Sequence, residues 1–419
     1  MKIKLIHLLN IIIITVFCTS RFWGVNLPWY IGVGSKIIAI ILFVIFNKLQ
    51  IKIKKKVMLN MFYAITPIIL IVVYSIILWI FTRNIPEPNV IRNLFTSNIY
   101  LIISICFAYV LYQNYGKRSI DLIVKCGFFS YIIGSIIPLI VNYPKEALPY
   151  LLTANSENYS LLFLTEVNDL TFALGFILLY YLFFAKNDSN RRRNLVICIL
   201  MIFWGLKRIQ IVALILAIFF YKFVISKISI KKASLFATNV ILVICYLYVL
   251  FIHNSNLIEL ATRYNINFMG RLQTYLYVSN NYSSFSIFYP GIGFGYIDEI
   301  LDKLVKMDFR IDYIPVISLH SDILRMYIGV GFVLFGIWII YQCYTRTNLI
   351  AKHIDLNCAK SYLCFTIYVF VLYLTDNTYS YSITVTLYFL TILCSMEGYN
   401  DLKKRKVNNI KRLFNEAKS

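Results

Sequence analysis

A chain of 419 residues that is 60% hydrophobic and only 14% charged cannot keep a folded surface wet, which excludes an ordinary soluble protein. A mean hydropathy of +0.72 and apolar runs of roughly 18 residues or more point instead to a polytopic membrane protein. The 41 Lys and Arg against 19 Asp and Glu, formally +22, would suit a nucleic-acid partner only if the excess formed a stripe, so its place along the chain matters.

The opening MKIKLIHLLNIIIITVFCTS has a basic start and an apolar core but no small-x-small cleavage site. Thr15, Val16 and Phe17 before Cys18 do not make a lipoprotein site either, so an uncleaved anchor is expected. Hydropathy places spans at about 5–20, 29–47, 57–81, 97–113, 119–141, 169–185, 194–206, 209–226, 233–252, 323–344, 360–375 and 382–396, about twelve in all. The expected organisation is nine membrane helices over 1–252, a large outer loop over 253–322, three more helices over 323–396 and a basic tail over 397–419.

If MKIK is cytoplasmic, the stretches KLQIKIKKK, GKR, KNDSNRRRN, SKISIKK, TRTNLIAKH and KKRKVNNIKRLFNEAKS share its side and carry the whole basic excess. That is the positive-inside pattern of a bacterial inner-membrane protein with both termini in the cytoplasm. No stripe is left for nucleic acid. The cysteines Cys18, Cys106, Cys126, Cys198, Cys245, Cys343, Cys364 and Cys394 lie in or beside spans, and Cys358 falls in a cytoplasmic loop, so no disulfide framework is expected.

Between the seventh and eighth spans, the apolar run 194–226 would be about 50 Å long as one helix, too long for a simple crossing and short for two. A hairpin fits, its turn below the outer surface and Lys207 and Arg208 at the tip. Such a turn must be buried in protein or line a wet cavity. Each cation at that depth costs roughly 2.5–3.5 kcal/mol, so an anionic partner or water is expected, unless both side chains snorkel to the headgroups.

Two outer loops stand out. The first, about 142–168, carries Glu146, Glu157 and Glu166. The second, about 253–322, is too aromatic and too patterned for disorder. Within it FMGRLQTYLY reads as a short helix packing Leu272, Tyr275 and Tyr277 and presenting Arg271. PGIGFG, with Gly291, Gly293 and Gly295, is either a plain turn or a place where amides approach a phosphate. It lacks the spacing of a dinucleotide fingerprint. In YIDEILDKLVKMDF, Ile297, Ile300, Leu301, Leu304 and Val305 recur at helical spacing, giving an amphipathic helix against the outer interface or against the protein's own loops.

The loop ends in SLHSDILRMY at the mouth of the tenth span. His7 and His353 belong to the cytoplasmic side and His253 caps the ninth span, whereas His320 starts a helix with Ser321 or Asp322 as cap and Arg325 a turn further on. No HxxxH, HExxH or Cys/His cluster faces outward, so neither a metal site nor a cofactor is expected, and no Ser-His-Asp or Cys-His set is specific. What remains is a base near arginines able to hold a phosphate-bearing lipid. Imidazole titrates near neutral pH and suits deprotonation of a hydroxyl attacking a phosphate-activated carbon.

WGLKRIQ, GRLQTY, GIGFG and HSDILRMYIGVGFVLFG, set around a large outer loop, resemble the bacterial O-antigen polymerase family within the wider O-antigen ligase-like group. The resemblance implies an all-α, GT-C-like membrane glycosyltransferase with its active site facing the periplasm. Donor and acceptor would be undecaprenyl-diphosphate-linked oligosaccharides, with a chain-length regulator and a flippase as partners in the same membrane. By position Arg208 and Arg271, with Lys207 beside them, would clamp the donor diphosphate. His320 would be the acceptor's base, with Asp322, Arg325, Gly291 and Gly293 supporting. Ligase-like members often carry a small-residue turn before the hairpin arginine and asparagine after the histidine; Leu206, Lys207 and Ser321 stand here, which favours polymerase over ligase. The rivals are that ligase, a lipid-linked oligosaccharide flippase, though no internal repeat is visible, and a structural membrane subunit.

Overall fold

The computed structural model describes residues 5–19, 21–22, 25–26, 29–46, 55–83, 86–147, 149, 168–205, 207–264, 271–306, 310–311, 314–315, 319–379 and 381–396. Its helices are α1 (Leu5–Cys18), α2 (Trp29–Phe46), α3 (Lys55–Phe81), α4 (Pro88–Tyr115), α5 (Arg118–Asn142), α6 (Asn168–Phe183), α7 (Arg191–Gly205), α8 (Arg208–Ile225) and α9 (Ile230–His253). They continue with α10 (Ser255–Arg263), α11 (Arg271–Tyr282), α12 (Tyr296–Lys306), α13 (Asp322–His353), α14 (Leu356–Thr375) and α15 (Ser382–Met396). Two pairs of two-residue antiparallel strands, Arg21–Phe22 with Val25–Asn26 and Arg310–Ile311 with Ile314–Pro315, complete the described elements.

Each segment expected to be a span carries helix, and seven helices (α3, α4, α5, α8, α9, α13 and α14) are long and apolar enough to cross a membrane. The chain is thus an α-helical, multi-pass membrane protein. Its lipid-facing side is legible in rows of exposed apolar residues, such as Phe62, Ile69, Val73 and Ile80 on α3 and Ile211, Ile215 and Phe219 on α8. The centre is held by α6 and α14, which are buried nearly all round and so show little amphipathicity.

Three boundaries differ from the sequence expectation. α4 starts at Pro88, well before 97, because proline suits the first helical turn, and the added turns bury Val90 and Leu94 against α12. α13 runs past 344 to His353 through a π-turn at Tyr341–Thr345, since no glycine or proline lies there to stop it. TRTNLIAKH is therefore helix, and Arg346 is inside the bundle. α14 begins at Leu356, capped by Asp355, whose carboxylate accepts the Cys358 amide at 3.0 Å. Cys358 is thus helical and buried, and all nine cysteines are free thiols.

α13 is also interrupted. Gly331 sits at φ 77°, ψ 177°, a conformation open essentially to glycine alone. The break frees backbone groups that lipid cannot satisfy, and the PGIGFG turn takes them. The amides of Ile292 and Gly293 donate to the carbonyls of Ile328 (3.1 Å) and Gly329 (2.8 Å), and the Phe332 amide donates to Tyr289 (2.9 Å). Contact is backbone to backbone: a Cβ on Gly331 would lie 2.3 Å from the Pro290 carbonyl carbon, and one on Gly291 2.6 Å from the Gly329 oxygen. The 253–322 loop is spliced into the membrane helix.

Candidate functional site

That splice fixes the N-terminal half of α13, and beside it three segments meet. Ser321 caps α13, its hydroxyl accepting the Leu324 amide at 3.3 Å, which sets His320 just ahead of the first turn. α11 stands alongside, Tyr275 donating its hydroxyl to the His320 carbonyl at 2.5 Å. Burial holds the Tyr275 phenol well above its ordinary pKa, so it stays a donor and fixes the His320 backbone. From the turn after α14 comes Asp376, whose side chain is only 7% exposed.

Asp376 is the hub. Its Oδ1 lies 3.9 Å from His320 Nδ1 and its Oδ2 lies 3.9 Å from Arg271, while Arg271 also donates to the Thr375 carbonyl. Tyr381 bonds Asp376 (3.3 Å) and Asn377 (2.7 Å). Asp322 braces the same turn: its carboxylate accepts the Tyr379 amide at 2.7 Å, and its own amide donates to the Asp376 carbonyl at 3.2 Å. At 3.9 Å the histidine and the aspartate attract without hydrogen bonding, and His320 Nδ1 is buried with no hydrogen-bond partner. The imidazole is 32% exposed, so its other edge faces outward. An imidazole backed by a carboxylate and open on the far side is the arrangement a general base needs.

His253 makes the contrast: its ring nitrogens are engaged by the Val249 carbonyl (2.9 Å) and the Ser283 hydroxyl (3.0 Å).

α7 ends at Gly205 and α8 starts at Arg208 with Lys207 at its N-cap, α7 packing mainly on α6 and α8 on α14. Gly205 is needed at the turn because a Cβ would meet Thr171 at 2.4 Å. The first turn of α6 sets the level of the tip: Gln210 donates to the Thr171 carbonyl at 2.6 Å and Tyr368 donates to the Phe172 carbonyl at 2.8 Å. Tyr368 lies two turns before the end of α14, so the tip meets α14 short of its end. It is also tied to the Asp376 corner, for the Phe172 ring stacks on Tyr381 at 6.2 Å. Arg208 is exposed, and no hydrogen bond or ion pair holds its guanidinium among the described residues.

The remaining candidates act on the loop. Arg325 donates to Asp298 of α12 at 2.6 Å, so it latches the amphipathic helix to α13. That helix buries Ile297, Leu301 and Leu304 against α4 and α13, with Val305 exposed. Gly293 accommodates the Trp79 indole, whose atoms would lie 2.2 Å from a Cβ, and the Phe294 amide donates to Ser75 at 3.0 Å. The amides of Ile292, Gly293 and Phe294 are thus spent within the protein, as a turn requires. Between α3, α11 and α12 the face that carries the 253–322 loop opens into a cavity of about 600 Å³ lined by Trp79, Glu87, Tyr277, Tyr296, Glu299 and Lys303. Glu157, Glu166, Leu206 and the tail 397–419 lie outside the described residues.

Sequence reasoning brought His320, Arg271 and Asp322 to this corner, placed Tyr275 beside Arg271 for packing alone, and missed Asp376 and Tyr381. The one available signal was TDNTYSYS, an acid in the short turn between the last two spans. Searches among known proteins add nothing to these residues: no family model matches the chain, and no curated protein matches it.

Proposed function

We propose that the protein is a membrane glycosyltransferase that polymerises a surface polysaccharide at the periplasmic face of a bacterial inner membrane. It would move a growing glycan from undecaprenyl diphosphate onto the terminal sugar hydroxyl of a new lipid-linked repeat unit. The observation that carries this reading is the His320–Asp376–Arg271 corner, together with the cationic tip that bears Arg208.

His320 takes the proton of the acceptor hydroxyl at its outward ring edge while Asp376 stabilises the imidazolium that forms. The acceptor oxygen bonds to the anomeric carbon, and the bond from that carbon to the diphosphate oxygen breaks. The leaving diphosphate departs with its electron pair, its charge met by Arg208 and Arg271. Lys207 adds a second cation at the tip. The apolar carrier stays in the outer leaflet against the lipid-facing helices.

The test is His320→Ala and Arg208→Ala in the host cell, followed by gel separation of surface polysaccharide. Loss of long ladders with one-repeat chains retained supports a polymerase. Long chains held on the lipid carrier would make the protein a ligase, and loss of both forms would make it a flippase. Full ladders from both variants at normal protein levels would defeat the assignment of these residues.

A further inference from the structure

A second cationic feature lies deep in the bundle, remote from the His320 corner along α13. Arg346 is 2% exposed, yet its guanidinium makes no hydrogen bond and no ion pair among the described residues, with Nε and Nη2 both buried and unpartnered. It lies over the rings of Tyr362 (4.6 Å) and Phe389 (5.2 Å). Those rings supply a cation–π face but no acceptor in the plane of the guanidinium, where its five N–H groups point.

Arg346 also lines a cavity of about 60 Å³ between α3, α4, α13, α14 and α15, large enough to hold water. The other walls are mostly apolar, including Ala64, Pro67, Leu101, Trp338 and Phe370, with Gln342 and Thr366 as polar neighbours. The π-turn Tyr341–Thr345 ends at the residue before Arg346, and such turns in long helices collect at functional sites. A charge inside a membrane bundle is retained where it meets a counter-charge or lines a path. Among the described residues no acid supplies the counter-charge here.

We infer that this cavity binds a compact anionic group on the Arg346 guanidinium: a free halide, or the phosphate of an anionic lipid. The planar donors take the anion on their edge while Tyr362 and Phe389 hold the face, and the apolar walls admit nothing much larger than one such group. The cavity runs on to Tyr379, whose amide Asp322 holds, but Arg346 bonds to none of the corner's charged groups, so the inference stands whether or not the protein is a polymerase.

The test uses the full chain in phosphatidylcholine nanodiscs in gluconate buffer, with the thermal midpoint as readout. Sodium chloride is titrated in one arm, and phosphatidylglycerol replaces part of the lipid in the other, for wild type and for Arg346→Met. Wild type is expected to melt several degrees higher in at least one arm, and Arg346→Met to respond in neither and to match or exceed wild type in gluconate. A response to chloride alone assigns a free ion, to phosphatidylglycerol alone a lipid phosphate, and to both a site that takes either. If Arg346→Met does not accumulate, Arg346→Lys replaces it and is expected to need several-fold more anion for the same shift. No wild-type response in either arm, or an undiminished response in the variant, overturns the inference.

Discussion

The loop from Tyr289 to Gly295 and the loop ending at His320 both meet α13, and they meet it in opposite ways. In the first, three backbone hydrogen bonds of 2.8–3.1 Å join the loop to the broken helix, and Gly291 and Gly331 leave out Cβ atoms that would meet backbone there. In the second, His320, Asp376 and Arg271 stand at 3.9 Å, close enough for charge to act and too far to hydrogen-bond. Two buried atoms there, His320 Nδ1 and Asp322 Oδ1, have no hydrogen-bond partner. A closely paired junction is what a fold needs to stay put, and an under-paired one is where a ligand has something to gain. The first region makes the second possible by fixing the N-terminal half of α13.

That division predicts the largest effect at the junction. Gly331→Ala must relieve a Cβ 2.3 Å from backbone at a positive φ, which costs about 1–3 kcal/mol in conformation alone, with the clash added. The expected outcome is loss of folded protein from the membrane fraction, read by detergent-solubilised size exclusion. Normal accumulation of this variant would mean that the splice is not the support claimed for it.

Substitutions at the corner should do the reverse. On the proposed polymerase reading, His320→Ala and Asp376→Asn are expected to leave accumulation and melting temperature near wild type while reducing polymer formation by about 10²–10⁴-fold, the usual contribution of a positioned base. The check is the polysaccharide ladder beside an immunoblot of the same cells. Equal losses of protein and polymer would erase the contrast between the two regions.

The same contrast explains what the sequence could and could not reveal. Hydropathy marks every segment that became a membrane helix, because the bilayer leaves the backbone no other choice. Spacing alone located α12, since Ile297, Leu301 and Leu304 recur on one face. The break at Gly331 was hidden, because helical apolar spacing runs across it and the partner that stabilises it is far away in sequence. Asp376 was hidden for another reason: a lone acid in a short turn forms no pattern, and only the packing of α11, α13 and α14 gives it neighbours. Arg346 was misplaced because a cation near a span end reads as loop, while the helix runs on past it.

Smaller than the loss of the base is the expected effect at the two arginines. Arg208→Lys and Arg271→Lys keep the charge and lose the planar fork that holds a phosphate bidentately. Roughly a tenfold loss of polymer formation is expected for each, about 1.4 kcal/mol in the transition state, with charge-removing alanines worse. Wild-type ladders from both lysine variants would remove the proposed diphosphate contacts from the reading of the corner.

The smallest effect belongs to the latch between the regions. Arg325 and Asp298 are 12% and 24% exposed and pair at 2.6 Å, and Arg325 Nε has no hydrogen-bond partner of its own. Removing only the acid leaves a largely buried cation without its counter-charge, whereas removing the cation leaves a partly exposed acid that water can reach. Asp298→Asn is therefore expected to loosen α12 more than Arg325→Met does, by about 1 kcal/mol, although partial exposure keeps either effect modest. Hydrogen exchange over 296–306 in the purified protein reads this directly: amides there should exchange about fivefold faster in Asp298→Asn than in Arg325→Met, while those of α14 stay unchanged. The opposite order would mean that the pair is a surface contact and that burial of Ile297, Leu301 and Leu304 alone holds the helix down.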